Sequence, residues 1–331
     1  MIALDANGAD GGPAMVAEGA RRSGEDVLLF GPAAELSEVR GEVVDAPERI
    51  GGDEEPVRAV RSRPQASIVQ AAKAVADGRA EALVSAGSTG PTLAAATLSI
   101  KRLRGVHRPA IAALLPLPTG PALLLDAGAN TEVRPEHLVQ FAYMGAAFME
   151  AVVGTERPRV GLLSVGSEAG KGTPDVLAAR ERLEQGDLNF AGNVEGFDLT
   201  AGTVDVIVTD GFTGNVALKV AEGASRTVRE AIRDRVRSAG PLAMLGGLLI
   251  RGPVGRLRAE FDPERTGGAL LLGLRRPVVI AHGSFGPDGI AAAVSLARRA
   301  VDERMVERTA GALERAGALR SVPAGSVATN G

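Results

Sequence analysis

Short apolar runs alternate along this chain with longer segments in which apolar residues return every three to four positions. The short runs have strand length: Ile2 to Leu4, Ala82 to Val84, Leu123 to Leu125, Val160 to Leu163, Val206 to Val208 and Val278 to Ala281. The longer segments predict helices over Pro13 to Arg22, Ser67 to Asp77, Thr89 to Leu103, Pro135 to Val152, Pro174 to Glu184, Gly214 to Val236 and Asp288 to Ala310. Several open at Pro, Ser, Thr or Asp, residues that satisfy or dispense with the free amides of a first turn. The pattern is that of an α/β fold, a large mostly parallel sheet with helices on both faces.

The strand-like runs stop abruptly in small polar residues. Leu4 runs into Asp5, Ala6, Asn7 and Gly8, Val84 into the loop Ser85 to Gly90, and Leu125 into Asp126 to Asn130. Leu163 leads to Ser164, Gly166 and Lys171, and Val208 to Thr209, Asp210, Thr213, Gly214 and Asn215. If these strands are parallel in one sheet, the loops gather at its carboxyl edge, where backbone amides and helix N-termini face a ligand. Such a chain is expected to hold an anion.

Three segments break the pattern. Residues 47 to 64 carry Gly51, Gly52, Asp53, Glu54, Glu55 and several arginines without a clean period, and read as a charged surface loop. The run Pro241 to Ile250, followed by Arg251, Arg256 and Arg258, is far shorter than the roughly 20 apolar residues a membrane-spanning helix needs. It reads either as a buried or dimer-forming hairpin, or as an amphipathic tip that dips into the headgroup layer through Leu242, Leu245, Leu248, Leu249 and Ile250. From Gly311 on, small residues predict a frayed tail. The expected organisation is one catalytic unit over residues 1–310, including the hairpin at 238–262, and a flexible tail over 311–331.

Composition narrows the chemistry. With 331 residues, 45% of them hydrophobic, the chain can bury a large core. The absence of cysteine excludes disulfides, thiolate metal sites and a cysteine nucleophile, and three histidines leave little for a metal centre. A net charge of −3 gives no whole-protein attraction to nucleic acid. The start, Met1 to Asp5, has no basic or long apolar leader, so cytoplasmic residence is expected.

The order of the loops resembles the PlsX phosphate acyltransferases, from Ile2 to about Val301. The most specific stretches are Asp53 to Arg61, Ser85 to Gly90, Pro135 to Gly145, Gly192 to Gly196, Asp210 to Lys219 and Ala281 to Ser284. Ser88 and Pro91 stand where that family's loop usually carries Asn and Ala, Asn7 and Ala9 replace Met and Gly, and Ser164 stands where Asn is common. The resemblance implies the fold of the isocitrate/isopropylmalate dehydrogenase-like enzymes and phosphotransacetylases, with the projecting hairpin. It further implies conversion of acyl carrier protein thioester and inorganic phosphate to acyl phosphate for phospholipid synthesis, without a cofactor or metal. A homodimer peripherally attached to the inner face of the cell membrane and a downstream glycerol-3-phosphate acyltransferase complete the implied partners; nucleic acid is not among them.

The chemistry fits the residues. Phosphate is already an anionic oxygen nucleophile and a thiolate leaves from a thiol of pKa about 8.5, so no strong protein acid or base is required. Positioning of phosphate and stabilisation of the carbonyl oxyanion are required. Lys171, between Gly170 and Gly172 in a chain with lysine only at 73, 101, 171 and 219, is the candidate phosphate cation, against the alternative of a solvated loop lysine. Asn215 is an oxyanion or phosphate donor, or else a helix cap. His282 hydrogen-bonds phosphate or the departing sulfur, or is a buried histidine satisfied by backbone. Asp5, Gly87, Ser88, Thr89, Asn130, Gly166, Asp210, Thr213 and Gly214 complete the expected site, the aspartates orienting loops and Asn130 and Thr213 serving as second donors. His107 and His137 are expected to be structural. Lys101, Arg102, Arg104, His107 and Arg108 form the densest basic run, fit for an acidic carrier or a solvated face. A phosphotransacetylase acting on acyl coenzyme A, and a catalytically eroded scaffold for the carrier protein, remain the competing readings.

Overall fold

The apolar runs pair edge to edge in one sheet of eleven strands, seen in a computed structural model that describes residues 1–36, 39–240 and 263–320 with the single positions 246, 252 and 255. The strands are β1 (Ile2–Asp5), β2 (Val27–Gly31), β3 (Gly41–Asp45), β4 (Ala82–Ser85), β5 (Ala110–Leu115), β6 (Ala122–Leu125), β7 (Val160–Leu163), β8 (Phe190–Val194), β9 (Val206–Val208), β10 (Ala269–Leu272) and β11 (Val278–Ile280). The helices are α1 (Gly12–Ser23), α2 (Pro56–Ser62), α3 (Ser67–Ala76), α4 (Thr89–Ser99), α5 (Pro135–Phe148), α6 (Pro174–Glu184), α7 (Asp198–Ala201), α8 (Gly211–Ser238), α9 (Pro287–Asp302) and α10 (Met305–Arg315).

The central strands are apolar throughout because both faces are covered. Ile2, Leu4, Val84, Leu123, Leu125, Val206 and Val208 face a core shared with α1, α5, α6, α9 and α10. The alternate residues Ala3, Leu83, Leu124 and Ile207 face a second core with α2, α3, α4, α7 and the start of α8. Successive side chains of a strand point to opposite faces, so each run supplies both cores at once.

The strand order is β3-β2-β1-β4-β11-β10-β5-β6-β9-β7-β8. Strands β1 to β4 and β11 run parallel, and β6 to β9 run parallel among themselves. Between them β10 is antiparallel to both β11 and β5, and β5 is antiparallel to β6. Three reversals in a row turn the second half of the sheet against the first. The carboxyl ends of β1, β4 and β11 therefore lie at one edge and those of β6, β7 and β9 at the opposite edge. This corrects the expectation of a single edge for all the polar loops. A hairpin strand buried on both faces has the same unbroken apolar sequence as a parallel one, so the reversal left no mark in the hydrophobic pattern.

Other differences have local causes. The charged stretch at 47–64 contains α2: the Glu55 carboxylate accepts from the amides of Val57 (3.2 Å) and Arg58 (2.6 Å), Pro56 opens the helix, and Ala59 and Val60 are buried. The helix expected over Thr89–Leu103 ends at Ser99, before Lys101 in a left-handed conformation (φ 69°). The helix expected over Asp288–Ala310 is broken into α9 and α10 where Arg304 also turns left-handed (φ 51°). The tail expected from Gly311 is ordered through residue 320: Leu313 is fully buried and the Ala318 carbonyl accepts from Gln140 Nε2 at 2.8 Å.

α8 is 28 residues long, yet only Gly211 and Gly214 in it are buried. Phe212, Val216, Val220, Val228 and Ile232 are exposed along it at four-residue spacing. The expected tip residues Leu242, Leu245, Leu248, Leu249 and Ile250, and Arg251, Arg256 and Arg258 beside them, lie outside the described residues. Among the described residues no helix is long and apolar enough to cross a membrane.

Candidate active site

The second-half edge is organised by Asp126, which follows β6 and is fully buried. Its Oδ1 accepts from the amides of Ile111 (2.9 Å), Gly128 (3.1 Å) and Ala129 (3.0 Å). Its Oδ2 accepts from the Asn130 amide (2.7 Å) and Asn130 Nδ2 (2.8 Å). Burial pushes the carboxyl above its ordinary pKa, and these donors oppose that shift by favouring the anion. The loop so wound presses on the start of α8. The Gly211 amide donates to the Asn130 carbonyl at 2.6 Å, and a Cβ on Gly214 would sit 1.9 Å from the Asp126 carbonyl oxygen, so no side chain fits there.

This packing assigns several expected site residues to construction. Asn130 Nδ2 is spent on Asp126 Oδ2 and the Pro109 carbonyl (2.8 Å each). Asp210 is the N-cap of α8, accepting from the Thr213 amide (2.8 Å) and the Thr213 hydroxyl (2.7 Å). Asn130 and Thr213 thus have no spare donor for an anion, contrary to expectation, while Asp210 orients its loop as expected. Asn215 is not the cap. It lies in the second turn, exposed, with its side chain packed toward Gly128.

β7 lies next to β9, so the loop from Ser164 to Thr173 reaches the same edge. It carries Gly166 and the exposed Lys171, for which no ion pair exists among the described residues; Lys219, by contrast, is paired with Glu222 at 2.8 Å. What shapes the loop is Asn193 on β8, a residue not singled out as a site residue from the sequence. Its buried Nδ2 reaches the carbonyls of Lys171 (2.9 Å), Glu168 (3.0 Å) and Gly166 (3.4 Å). Asn193 Oδ1 and Ser164 Oγ are buried with no protein partner. A lone amide inside an apolar strand, between Gly192 and Val194, is the signal that could have found it.

The remaining expected residues sit at the other edge. Asp5 and Ser85 are register partners at the ends of β1 and β4, and Ser85 Oγ donates to Asp5 Oδ2 at 2.8 Å. Burial raises the Asp5 carboxyl to about 6, against hydrogen bonds from Ser67, Ser85 and the Asn7 amide. Gly87 approaches Gly8 so closely that a Cβ on Gly8 would meet its Cα at 2.8 Å. Ser88 is the N-cap residue of α4, which starts at Thr89. His282 is exposed after β11; its Nδ1 lies 2.8 Å from Ser284 Oγ and accepts from the Ser284 amide at 3.3 Å. These residues follow strands that run opposite to β6, β7 and β9, which lead to Lys171 and Asn215.

An α/β sheet of this kind is shared with known acyl-transferring proteins. A phosphotransacetylase from Streptococcus pyogenes matches with a TM-score of 0.62 at 17% identity, over 93% of this chain and 94% of its own. A 4-hydroxythreonine-4-phosphate dehydrogenase from Klebsiella pneumoniae matches with a TM-score of 0.52 at 15% identity, over 91% of this chain and 99% of its own. These likenesses define the fold class, a mostly parallel α/β sheet common to phosphotransacylases and dehydrogenases of that type. The chain belongs to the fatty acid synthesis protein family, whose model matches residues 1–308. Phosphate acyltransferases of Elusimicrobium minutum and Gloeobacter violaceus are 43% and 44% identical to it, over 92% and 93% of this chain and 93% and 95% of theirs. It is an acyltransferase of the PlsX phosphate acyltransferase family.

Asn193 generates a test of the Lys171 loop. Asn193→Ala removes three carbonyl anchors, and buried groups left unpaired cost about 1–3 kcal/mol each at most. The expected outcome is a phosphate KM raised at least tenfold with a smaller change in kcat, and a lowered thermal midpoint; an unchanged phosphate KM would show that the loop holds itself.

Proposed function

We propose that this chain transfers an acyl group from the thioester of acyl carrier protein to inorganic phosphate, releasing acyl phosphate and the free carrier. The observation that carries the reading is the pairing, on adjacent strand ends of one edge, of an exposed lysine and an exposed asparagine whose side chains have, among the described residues, no ion pair and no hydrogen-bond acceptor respectively. Lys171 holds phosphate. Asn215 stabilises the oxyanion formed when a phosphate oxygen attacks the thioester carbonyl. The carbon–sulfur bond then breaks, and the electron pair leaves with sulfur as thiolate. No acyl-enzyme intermediate is needed.

The start of α8 contributes less to anion binding than a free helix N-terminus does, because Asp210 already occupies it with a carboxylate. The positive complement of phosphate is then the Lys171 side chain together with the amides of residues 165–170, which donate to no group among the described residues. His282, at the opposite edge, is left out of this mechanism.

Two features of the reading concern assembly. The apolar row on α8 suits a second copy of the chain, since exposed apolar residues at four-residue spacing form a ridge that packs into a groove between helices. The Leu-rich segment at 241–250 suits reversible attachment to the cytoplasmic face of a membrane, where an amphiphilic acyl phosphate is best released to a glycerol-3-phosphate acyltransferase.

Phosphate-dependent release of free thiol from acyl carrier protein tests the activity itself. Lys171→Ala should raise the phosphate requirement or abolish turnover, and Asn215→Ala should lower kcat about 10²-fold or more, the usual loss for one oxyanion donor, both with near-unchanged thermal midpoints. Retained turnover with normal phosphate dependence in Lys171→Ala would remove that residue from the mechanism.

In sedimentation equilibrium, Val220→Glu with Ile232→Glu should convert a dimer to a folded monomer; a protein that keeps its mass assembles elsewhere. Liposome sedimentation should show binding that grows with anionic lipid and weakens with salt, and Leu245→Glu with Leu249→Glu should return the protein to the supernatant while sparing turnover. Loss of folding or of the dimer in that variant would make the segment core or interface.

A further inference from the structure

Six exposed arginines from four separate parts of the chain meet on one face: Arg102, Arg104 and Arg108 in the turn between α4 and β5, Arg134 before α5, Arg275 after β10 and Arg320 after α10. Backbone hydrogen bonds tie these parts together. The Arg275 amide donates to the Lys101 carbonyl (3.0 Å), the Leu103 amide to Gly273 (2.9 Å) and the Arg320 amide to Gly105 (2.9 Å). Beneath them the side chain of Gln140, fully buried, donates to the carbonyls of Gly105 (2.9 Å) and Ala318 (2.8 Å) and accepts from the His107 amide (2.8 Å). The face is braced from below.

None of the six arginines forms an ion pair among the described residues, whereas Arg22, Arg63, Arg79, Arg159, Arg180 and Arg298 elsewhere all do. The nearby carboxylates are those of Glu136, partly buried, and of Glu132, exposed two residues before Arg134. His107 and His137, whose rings lie 5.4 Å apart under this face, are held below the ordinary histidine range by burial first; Glu136 opposes the shift in both, while Arg320, Arg102 and Arg134 add to it at His107, and His107, Arg108 and Arg134 add to it at His137. Four of the six arginines, Arg102, Arg108, Arg134 and Arg320, thus act on one histidine pair. Gathering like charges without partners costs stability, and an anionic partner relieves the cost.

Position identifies the partner. The turn before β5 lies at the edge where β6, β7 and β9 end, and Asn130 Nδ2 links its Pro109 carbonyl directly to the Asp126 loop. The face thus adjoins Asn215 and lies on the edge that carries Lys171. We propose that this arginine face is the docking surface for the acidic acyl carrier protein, which would seat there while its thioester arm reaches across the Asp126 loop. This rests on the carrier-dependent reading above, and names the surface that serves it.

The test compares wild type with Arg104→Glu/Arg108→Glu and with the milder Arg104→Gln/Arg108→Gln on two thioesters, acyl carrier protein and acyl-pantetheine, at saturating phosphate. The expected result for the Glu variant is a KM for the carrier thioester raised at least tenfold, with kcat and the acyl-pantetheine rate unchanged, and an intermediate rise for the Gln variant. The wild-type carrier KM should climb with salt and the Glu variant's should be nearly flat. Fluorescence anisotropy of labelled holo carrier protein, which needs no turnover, reads the same surface if thiol release itself fails, and so separates failure of this proposal from failure of the proposed activity. Equal carrier binding in all three proteins, equal loss on both thioesters, or a loss confined to binding of phosphatidylglycerol vesicles would each overturn it.

Discussion

The second half of this molecule is organised around one buried carboxylate. Asp126 lies out of water with no ion pair among the described residues, and it is held by main-chain and side-chain donors from the start of β5 and from its own loop. An anion so placed is tolerable only while those donors stay in position, because removing any of them leaves charge without solvation. The loop is therefore stiff, and its stiffness spreads. Gly214 can approach the Asp126 carbonyl because it has no side chain, Gly211 bonds to Asn130, and Asn130 reaches the Pro109 carbonyl. β5, β6 and α8 thus meet as one body, with Asn215 on one flank and the arginine face on the other.

Much of this was legible before any coordinates. Strands β1, β4, β6, β7, β9 and β11, the loops that follow them and the helices Ser67–Ala76 and Pro174–Glu184 follow from apolar period and cap residues, and the family follows from motif order. The reversal of the sheet was not legible, since β5, β6 and β10 read as any buried strand would. α2 was obscured because seven residues, half of them charged or solvent-facing, give no measurable period. The break at Arg304 fell inside an amphipathic pattern that continued across it. Among candidate site residues, Lys171 stood out by residue type and Asp210 by its place before a helix. Asn130 and Thr213 looked like donors because composition shows which groups a residue has and not where its hydrogens are committed.

The two sets of strand ends use the same residue types differently. At the first edge the polar residues chiefly satisfy one another: Ser85 serves Asp5 and accepts from the Gly87 amide, Thr92 returns its hydroxyl to Ser88, and Asn7 holds the carbonyls of Ala46 and Pro47. At the second edge the same kinds of residue build a wall and leave two exposed side chains over, Lys171 and Asn215. Asp210 fills the start of α8, Asn193 fastens the Lys171 loop by its carbonyls, and Asp126 consumes the amides of its own turn. An anion held at this edge has the amides of residues 165–170, which donate to no group among the described residues, and beside them requires charge from side chains. That requirement ties the isolated Lys171 to the arginine face beyond Asn130: one is suited to a small anion that must be held at a point, the other to a large anionic surface that must be guided to it and released.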